Sequence, residues 1–193
     1  GQNDLLVVGH CTSNQKTYKT DTHWRSKRGI GNFNWRMKWP ITLPNKRYPR
    51  LRLQIWDVDV FSPDDAICES TLSLKALCQY ARRKENANKI VKMVKNNKDR
   101  FWITDLVKPG VGNEHLKQGE MEISIELCPK HLCEKYNNNV GRDQPNQHPF
   151  LPPPQGRVNF SLFHPLDMCY EIIGPDYIKK VIYIAIFFLI LSG

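Results

Sequence analysis

The chain has 193 residues, which is enough for one globular domain with additional segments. Its 28 Lys and Arg residues outnumber 19 Asp and Glu, so the formal net charge is +9. A basic balance of this size favours an anionic partner, either nucleic acid or a phospholipid surface. The sequence carries no nucleophile elbow, HExxH pair or phosphate-binding loop, and we therefore expect no enzyme activity.

Apolar and polar residues alternate in several short segments of the first two thirds of the chain. Segments 20–25, 32–39, 50–56 and 120–127 alternate in this way, and residues 5–8 form a short apolar run. Strands with one polar and one apolar face are typical of antiparallel sandwiches. The predicted fold is therefore an all-β antiparallel β-sandwich over residues 1–128, with these core residues: Phe33, Trp35, Leu53, Ile55, Ile123 and Ile125.

An acidic cluster follows the predicted strand 50–56. Asp57, Asp59, Asp64 and Asp65 lie close together, and Pro63 turns the chain back toward the first two. Crowded carboxylates repel one another, so such a cluster indicates either a bound cation or a solvated turn that ends the strand. Calcium is the best candidate cation, because it takes 6–8 hard oxygen ligands in a flexible geometry.

A basic insertion at about 75–100 interrupts the strand pattern. Lys89, Lys92, Lys95 and Lys98 recur every three residues, a spacing that predicts a stripe along one face of a helix. Such a stripe would attract an anionic membrane leaflet, although a solvated helix face is an equally good interpretation.

The C-terminal third has two further segments. Residues 137–155 are polar and then rich in proline, which predicts an extended linker without regular structure. Residues 181–191 are apolar and uncharged, follow Lys179 and Lys180, and predict part of a transmembrane helix with the preceding domain in the cytosol. A buried core element is the alternative interpretation of this run.

The acidic cluster, with its Trp-Asp-x-Asp-x-x-Ser spacing, resembles the third calcium-binding loop of C2 domains. On that resemblance Asp57, Asp59 and Asp65 are Ca²⁺ ligands and Ser62 is an accessory ligand. Segment 3–8 resembles the end of the first calcium loop, which makes Asp4 the fourth acidic ligand. The resemblance also implies that Val60 and Phe61 at the loop tip insert into the lipid headgroup region. The basic residues Lys89, Lys92, Lys95 and Lys98 would add electrostatic attraction to the same anionic surface.

The order of the motifs along the chain makes the resemblance more specific. Segment 31–36, the basic insertion, segment 119–123, segment 141–146 and an apolar C-terminus follow one another as they do at the C-terminal end of the ferlins. That resemblance implies a C2 domain over 1–128, a ferlin-like proline-rich linker over 129–176 and a transmembrane helix over 177–193. We expect the first strand of the domain to precede Gly1 and the membrane helix to continue beyond Gly193.

The ferlin resemblance implies a calcium-dependent phospholipid-binding module of a tail-anchored protein, acting in vesicle fusion or membrane repair. The expected location is a vesicle or plasma membrane, with a single C-terminal pass and the C2 domain cytosolic. Anionic phospholipid is the expected partner, fusion proteins or other C2 domains are further candidates, and nucleic acid is not expected. The alternative is a calcium-independent C2 module that docks proteins on a membrane-anchored scaffold. A zinc site at Cys128, His131 and Cys133 lacks a fourth ligand at the usual spacing.

Overall fold

The fold is mostly antiparallel β-sheet with few helices. The computed structural model describes residues 2–44, 47–59, 62–110, 117–136, 138–154, 170 and 173–191. Over these ranges the strands are β1 (Gln2–Cys11), β2 (Thr17–Lys19), β3 (His23–Lys27), β4 (Arg50–Asp57), β5 (Asp65–Ser73), β6 (Val91–Lys92), β7 (Arg100–Val107), β8 (Lys117–Ser124) and β9 (Glu126–Leu127). The helices whose bounds can be given over the same ranges are α1 (Lys75–Ala81), α2 (Lys130–Lys135) and α3 (Pro175–Leu191).

The larger sheet has seven strands, six of which follow the order β2-β1-β4-β5-β7-β8. The seventh, β3, pairs with Gln2, Asn3 and Leu5 of β1, whereas β2 pairs with Val8, Gly9 and His10 of the same strand. Every pairing in it is antiparallel. Strands β5 and β7 pair only at Glu69 and Val107, so one point of the ladder joins the two parts of the sheet. Strands β6 and β9 form a separate two-stranded sheet.

One hydrophobic core joins the two parts of the larger sheet. Its buried strand residues come from β1, β4 and β5 on one side and from β7 on the other: Cys11, Leu51, Leu53, Cys68, Phe101, Ile103 and Leu106. Leu74 and Cys78 add the start and the buried side of α1 to the same cluster. Met121 and Ile123 of β8 pack against the same cluster. The two parts therefore share a single core, which fits a C2-like sandwich.

The predicted core residues fall into two groups. Leu53 is buried, and Ile55, Ile123 and Ile125 are partly buried against the core. Phe33 and Trp35 are partly buried but are outside that cluster.

The predicted strand at 32–39 is wrong, because only Arg36 in it forms a β-bridge, to Gly141. The reason is that β4 pairs with one edge of β1, and β2 and β3 pair with the other. No edge of β1 is left for this segment, which crosses the face of β1 instead. Its side chains pack on Gly9, where an added Cβ would lie 2.5 Å from the Met37 sulphur.

The basic insertion contains one short helix and no helical lysine stripe. Helix α1 ends at Ala81, before the first of the four predicted lysines. Lys89 lies in a turn and Lys92 in β6, whereas Lys95 and Lys98 flank a tight turn. Asn96 and Asn97, with φ of 51° and 59°, adopt the left-handed conformation that this turn requires. The two asparagines therefore favour a turn at this point, although the three-residue spacing of the lysines predicted a helix.

The C-terminal third begins with α2 and continues without further helix or strand over 138–154, apart from the Gly141 bridge. Helix α3 runs over Pro175–Leu191, so the apolar run is helical as predicted. Within the part of the chain that the structure describes, no helix combines the length and the apolar character needed to cross a membrane.

Candidate functional site

Three of the predicted acidic ligands lie at the same end of neighbouring strands. Asp57 is the last residue of β4, and it pairs with Leu5 of β1 on one side and with Asp65, the first residue of β5, on the other. Asp4 immediately precedes Leu5 in β1. The antiparallel register therefore places Asp4, Asp57 and Asp65 together at one end of the sheet, which we call the acidic edge.

Backbone amides hold two carboxylates of the acidic edge in place. The Asp4 N–H donates to Oδ1 of Asp57 at 2.7 Å. The Arg25 N–H donates to Oδ1 of Asp4 at 2.5 Å, and the Val58 N–H donates to the Asp4 carbonyl at 2.8 Å. These bonds fix the carboxylates of Asp4 and Asp57 relative to the backbone of β1, β3 and β4.

The loop after β4 carries the remaining predicted ligands. The Ser62 hydroxyl donates to Oδ2 of Asp59 at 2.8 Å, so these two predicted ligands are in direct contact. The Asp59 N–H donates to Oδ1 of Asp64 at 3.3 Å. Val60 and Phe61, predicted to enter lipid, lie outside the described residues.

The electrostatics of the acidic edge disfavour negative charge. Burial raises the pKa of Asp4, and repulsion from Asp57 and Asp59 adds to the rise, although the Arg25 amide and guanidinium oppose it. Burial also raises the pKa of Asp57, with further repulsion from Asp59 and Asp65, while the Asp4 amide opposes it. The carboxylates are therefore near enough to repel one another, and a cation would relieve that repulsion.

The donor chemistry of the acidic edge suits calcium, since carboxylate and hydroxyl oxygens are its preferred ligands. A complete ligand group is not formed: across the described ranges no three His, Cys, Asp or Glu side chains are arranged to hold a metal ion. The arrangement thus brings suitable ligands to one edge without surrounding an ion. A cavity of about 270 Å³ adjoins this edge and is lined by Asp65, Ala66, Ile67, Lys108 and Gln118.

Arg25 is a residue of this region that the sequence did not single out. Its backbone has φ of +50°, in the left-handed region, and its N–H bonds Asp4. Its guanidinium Nη1 donates to the Tyr170 carbonyl at 3.4 Å and lies near Gly174, just before α3. Arg25 therefore joins the acidic edge to the start of the apolar helix. No local pattern in the sequence predicts this role, because a basic residue close to Lys27 and Arg28 is expected to face solvent.

The four predicted lipid-binding lysines are all exposed, but two of them have partners. Lys92 forms a 2.8 Å ion pair with Asp99, and the Lys95 ammonium lies 5.0 Å from the centre of the Phe101 ring. The backbones of Lys95 and Lys98 bond each other at 3.0 Å in both directions. The lysines thus belong to a turn-rich surface, with Lys89 and Lys98 exposed on it.

Helix α3 presents apolar side chains on all sides. The exposed ones include Val181, Ile182, Tyr183, Ile184, Ile186, Phe187, Phe188, Leu189 and Ile190, the last of them 73% exposed. Contiguous apolar surface of this kind marks a site of contact with a membrane or another protein.

Comparison with known proteins gives several relatives. Ferlin 1 of Toxoplasma gondii is 31% identical over 133 residues, which is 69% of this chain and 8% of that protein. Myoferlin of Xenopus tropicalis is 29% identical over 184 residues, 78% of this chain and 9% of that protein. Ferlin 2 of Tetrahymena thermophila is 30% identical over 145 residues, 75% of this chain and 8% of that protein.

The chain therefore spans less than a tenth of the length of these relatives. It matches no protein-family model and no solved structure. These relatives are 29–31% identical to this chain over 69–78% of its length, and the chain therefore belongs to the ferlin family.

Proposed function

We propose that this chain is a C2-type module that binds anionic phospholipid in a calcium-dependent manner and acts in membrane fusion or repair. The observation that carries the proposal is the acidic edge, where the strand register brings Asp4, Asp57 and Asp65 together. Burial, together with repulsion from neighbouring carboxylates, raises the pKa of Asp4 and Asp57, and this perturbation supports a role in cation binding.

Asp4, Asp57, Asp59 and Asp65 would hold Ca²⁺, with Ser62 as an accessory ligand. The bound ion would reverse the sign of the local charge and offer open coordination positions to lipid phosphates. Backbone amides already orient Asp4 and Asp57 through one oxygen each. Asp59 and Ser62 lie on the loop after β4, and the hydrogen bond between them keeps their oxygens side by side.

Helix α3 would attach the module to the bilayer as a single C-terminal pass. It has 17 residues, and at about 1.5 Å per residue it is roughly 25 Å long, somewhat less than a hydrocarbon core of about 30 Å. Its exposed apolar side chains favour a lipid environment. Lys179 and Lys180 lie near its beginning, which favours a cytosolic domain at a vesicle or plasma membrane.

The exposed lysines would supply attraction that does not need calcium. Lys89 and Lys98 can approach anionic headgroups directly, and each basic residue near such a surface contributes about 1 kcal/mol. Lys92 contributes less, because its ion pair with Asp99 already offsets its charge. This attraction is screened by salt, whereas ligation at the acidic edge would be much less so.

Vesicle flotation tests the proposal. The full chain is mixed with phosphatidylcholine vesicles that contain or lack phosphatidylserine, in calcium or in EGTA. Replacing Ile184 and Phe187 of α3 by Lys removes the apolar contribution of the helix, so that binding through the sheet is measured alone. Calcium-dependent flotation of this variant with phosphatidylserine vesicles supports the proposal, and equal flotation in calcium and EGTA contradicts its calcium-dependent part.

A calcium-independent docking module is the second candidate. It is favoured by the finding that Oδ1 of Asp4 and Oδ1 of Asp57 already accept backbone hydrogen bonds. Such carboxylates can act as structural ties between β1, β3 and β4 without an ion. The same flotation experiment separates the two, because this candidate predicts no response to calcium.

A further inference from the structure

Arg36 lies at the centre of a second set of long-range contacts, between segment 32–39 and the proline-rich segment 138–154. Its guanidinium donates to the carbonyls of Asn139, Gln147 and Pro149, at 3.4, 3.0 and 2.5 Å. Its backbone pairs with Gly141 in both directions, at 2.7 and 3.2 Å. One side chain therefore bonds three separate carbonyls of a segment about a hundred residues away.

Neighbours of Arg36 add contacts to the same segment. The Lys38 ammonium donates to the carbonyl of Asn138 at 3.1 Å and to its Oδ1 at 2.8 Å. The Trp35 ring covers Gly141, whose absent Cβ would lie 3.0 Å from it. Contacts from Trp35, Arg36 and Lys38 of one segment thus hold the other at several points along its length.

Segment 138–154 also has an internal framework. The Asn146 side chain donates to the Leu151 carbonyl and accepts from the Leu151 N–H, at 2.9 and 3.1 Å. Arg142 donates to the Pro152 carbonyl at 2.9 Å. These bonds give the segment a defined shape although it lacks regular secondary structure, so it is more than a solvated spacer.

We propose that residues 138–154 form a strap that Arg36 docks on the domain, and that the strap sets the length of the connection between the domain and the C-terminal helix. A segment of this length spans roughly 55 Å when fully extended. Docking removes that reach, and release of the strap restores it once the contact of Arg25 with the Tyr170 carbonyl is also broken. The contacts that hold the strap involve neither calcium nor lipid, so the strap can be tested independently of the proposed function.

Hydrogen exchange at the Gly141 amide tests the strap, because that amide donates to the Arg36 carbonyl across the docked interface. Arg36→Met keeps the aliphatic stem and removes the donors. We expect the Gly141 amide of the full chain to exchange at least tenfold faster in this variant. Arg52→Met is the matched control: Arg52 is an exposed arginine paired with Glu69 outside the strap, and its loss should leave the Gly141 amide unchanged.

A second pair of variants tests the docking of the strap without a change at Arg36. Gly141 and Gly110 both have positive φ, of 69° and 72°, but an added Cβ at Gly110 meets nothing within 4 Å. Alanine therefore strains the backbone at both positions but pushes against Trp35 only at position 141. We expect fast exchange at position 141 in Gly141→Ala and wild-type exchange there in Gly110→Ala.

Exchange at core amides of β4 separates release of the strap from unfolding. Fast exchange at position 141 with slow exchange in β4 supports the strap. If Arg36→Met is folded and its Gly141 amide exchanges within twofold of the wild-type rate, the proposal is overturned. If Arg36→Met does not fold, Gly141→Ala decides by the same criterion.

Discussion

The backbone amide of Asp4 donates a hydrogen bond of 2.7 Å to the carboxylate of Asp57, 53 residues further along the chain. This bond ties the start of β1 to the end of β4 and orients a carboxylate whose charge its neighbours disfavour. The same carboxylate is therefore both a structural tie and a candidate ligand, and substitutions must separate these two roles.

Asp57→Asn separates them, since the amide oxygen can still accept from Asp4 while the charge is removed. The pKa of Asp57 is raised in the folded state, so the folded protein holds its proton more tightly than the unfolded chain. Stability should therefore fall as pH rises from about 3.9, the ordinary carboxyl pKa, through the raised folded value. Without calcium at pH 7, we expect Asp57→Asn to be more stable by about 0.5 kcal/mol, because screening limits the repulsion.

Urea unfolding in EGTA at several pH values measures this effect. Asp99→Asn is the control, since Lys92 lowers the pKa of Asp99 and its neutralisation removes an attraction instead of a repulsion. A loss of stability in Asp57→Asn at pH 7 would show that the charge itself is needed for the fold.

The left-handed backbone conformation of Arg25 is expected to affect the stability of the fold. Its φ of +50° disfavours any residue with a Cβ, whereas its N–H bonds Asp4 whatever the side chain. Arg25→Gly and Arg25→Ala both lose the guanidinium, so the difference between them reports the backbone alone. We expect the glycine variant to be more stable by about 1 kcal/mol in urea unfolding. An alanine variant of equal or greater stability would contradict a left-handed conformation at this position.

Leu106 tests the shared core. It is completely buried in β7, close to the single pairing that joins the two parts of the sheet. Leu106→Ala should lower the free energy of unfolding by about 2–5 kcal/mol through lost burial and the cavity left behind. Val94→Ala, at a position 58% exposed, should change it by less than about 0.5 kcal/mol. Similar effects of the two substitutions would show that β7 does not belong to a common core.

Gly9 tests the contact between β1 and segment 32–39. An added Cβ would lie 2.5 Å from the Met37 sulphur and 3.0 Å from the Trp39 ring, so both side chains would have to move. We expect Gly9→Ala to cost about 1–3 kcal/mol of stability, with a change in tryptophan fluorescence as Trp39 shifts. An unchanged spectrum and unchanged stability would contradict this packing.

Local patterns in the sequence were sufficient to predict part of the fold. The alternation at 50–56 matches β4, and residues 120–127 match β8 and β9, because period-two burial leaves a clear mark on each strand. Segment 32–39 shows the same alternation yet lies across β1, since strand formation also requires a free edge to pair with. That requirement depends on β2 and β3 and is not visible in the segment itself.

Long-range contacts limited the prediction of the site in a similar way. The acidic spacing pointed to Asp57, Asp59 and Asp65, and the strand register brings Asp57 and Asp65 to one edge. The roles of Arg25 and Arg36 depend on contacts with Asp4 and with segment 138–154, which no local pattern encodes. The lysine spacing failed as a predictor because α1 ends at Ala81, before the first of these lysines, and because Asn96 and Asn97 form a turn between Lys95 and Lys98.

A calcium titration of vesicle binding measures whether the acidic edge binds lipid in a calcium-dependent manner. The chain with Ile184 and Phe187 replaced by Lys is titrated with calcium in the presence of phosphatidylserine vesicles, with and without the further changes Asp57→Asn and Asp59→Asn. We expect binding to rise with calcium only when both carboxylates are present, while a salt-sensitive remainder from the lysines persists in either protein. Identical calcium titrations for the two proteins, or no response to calcium in either, would contradict calcium-dependent lipid binding at the acidic edge.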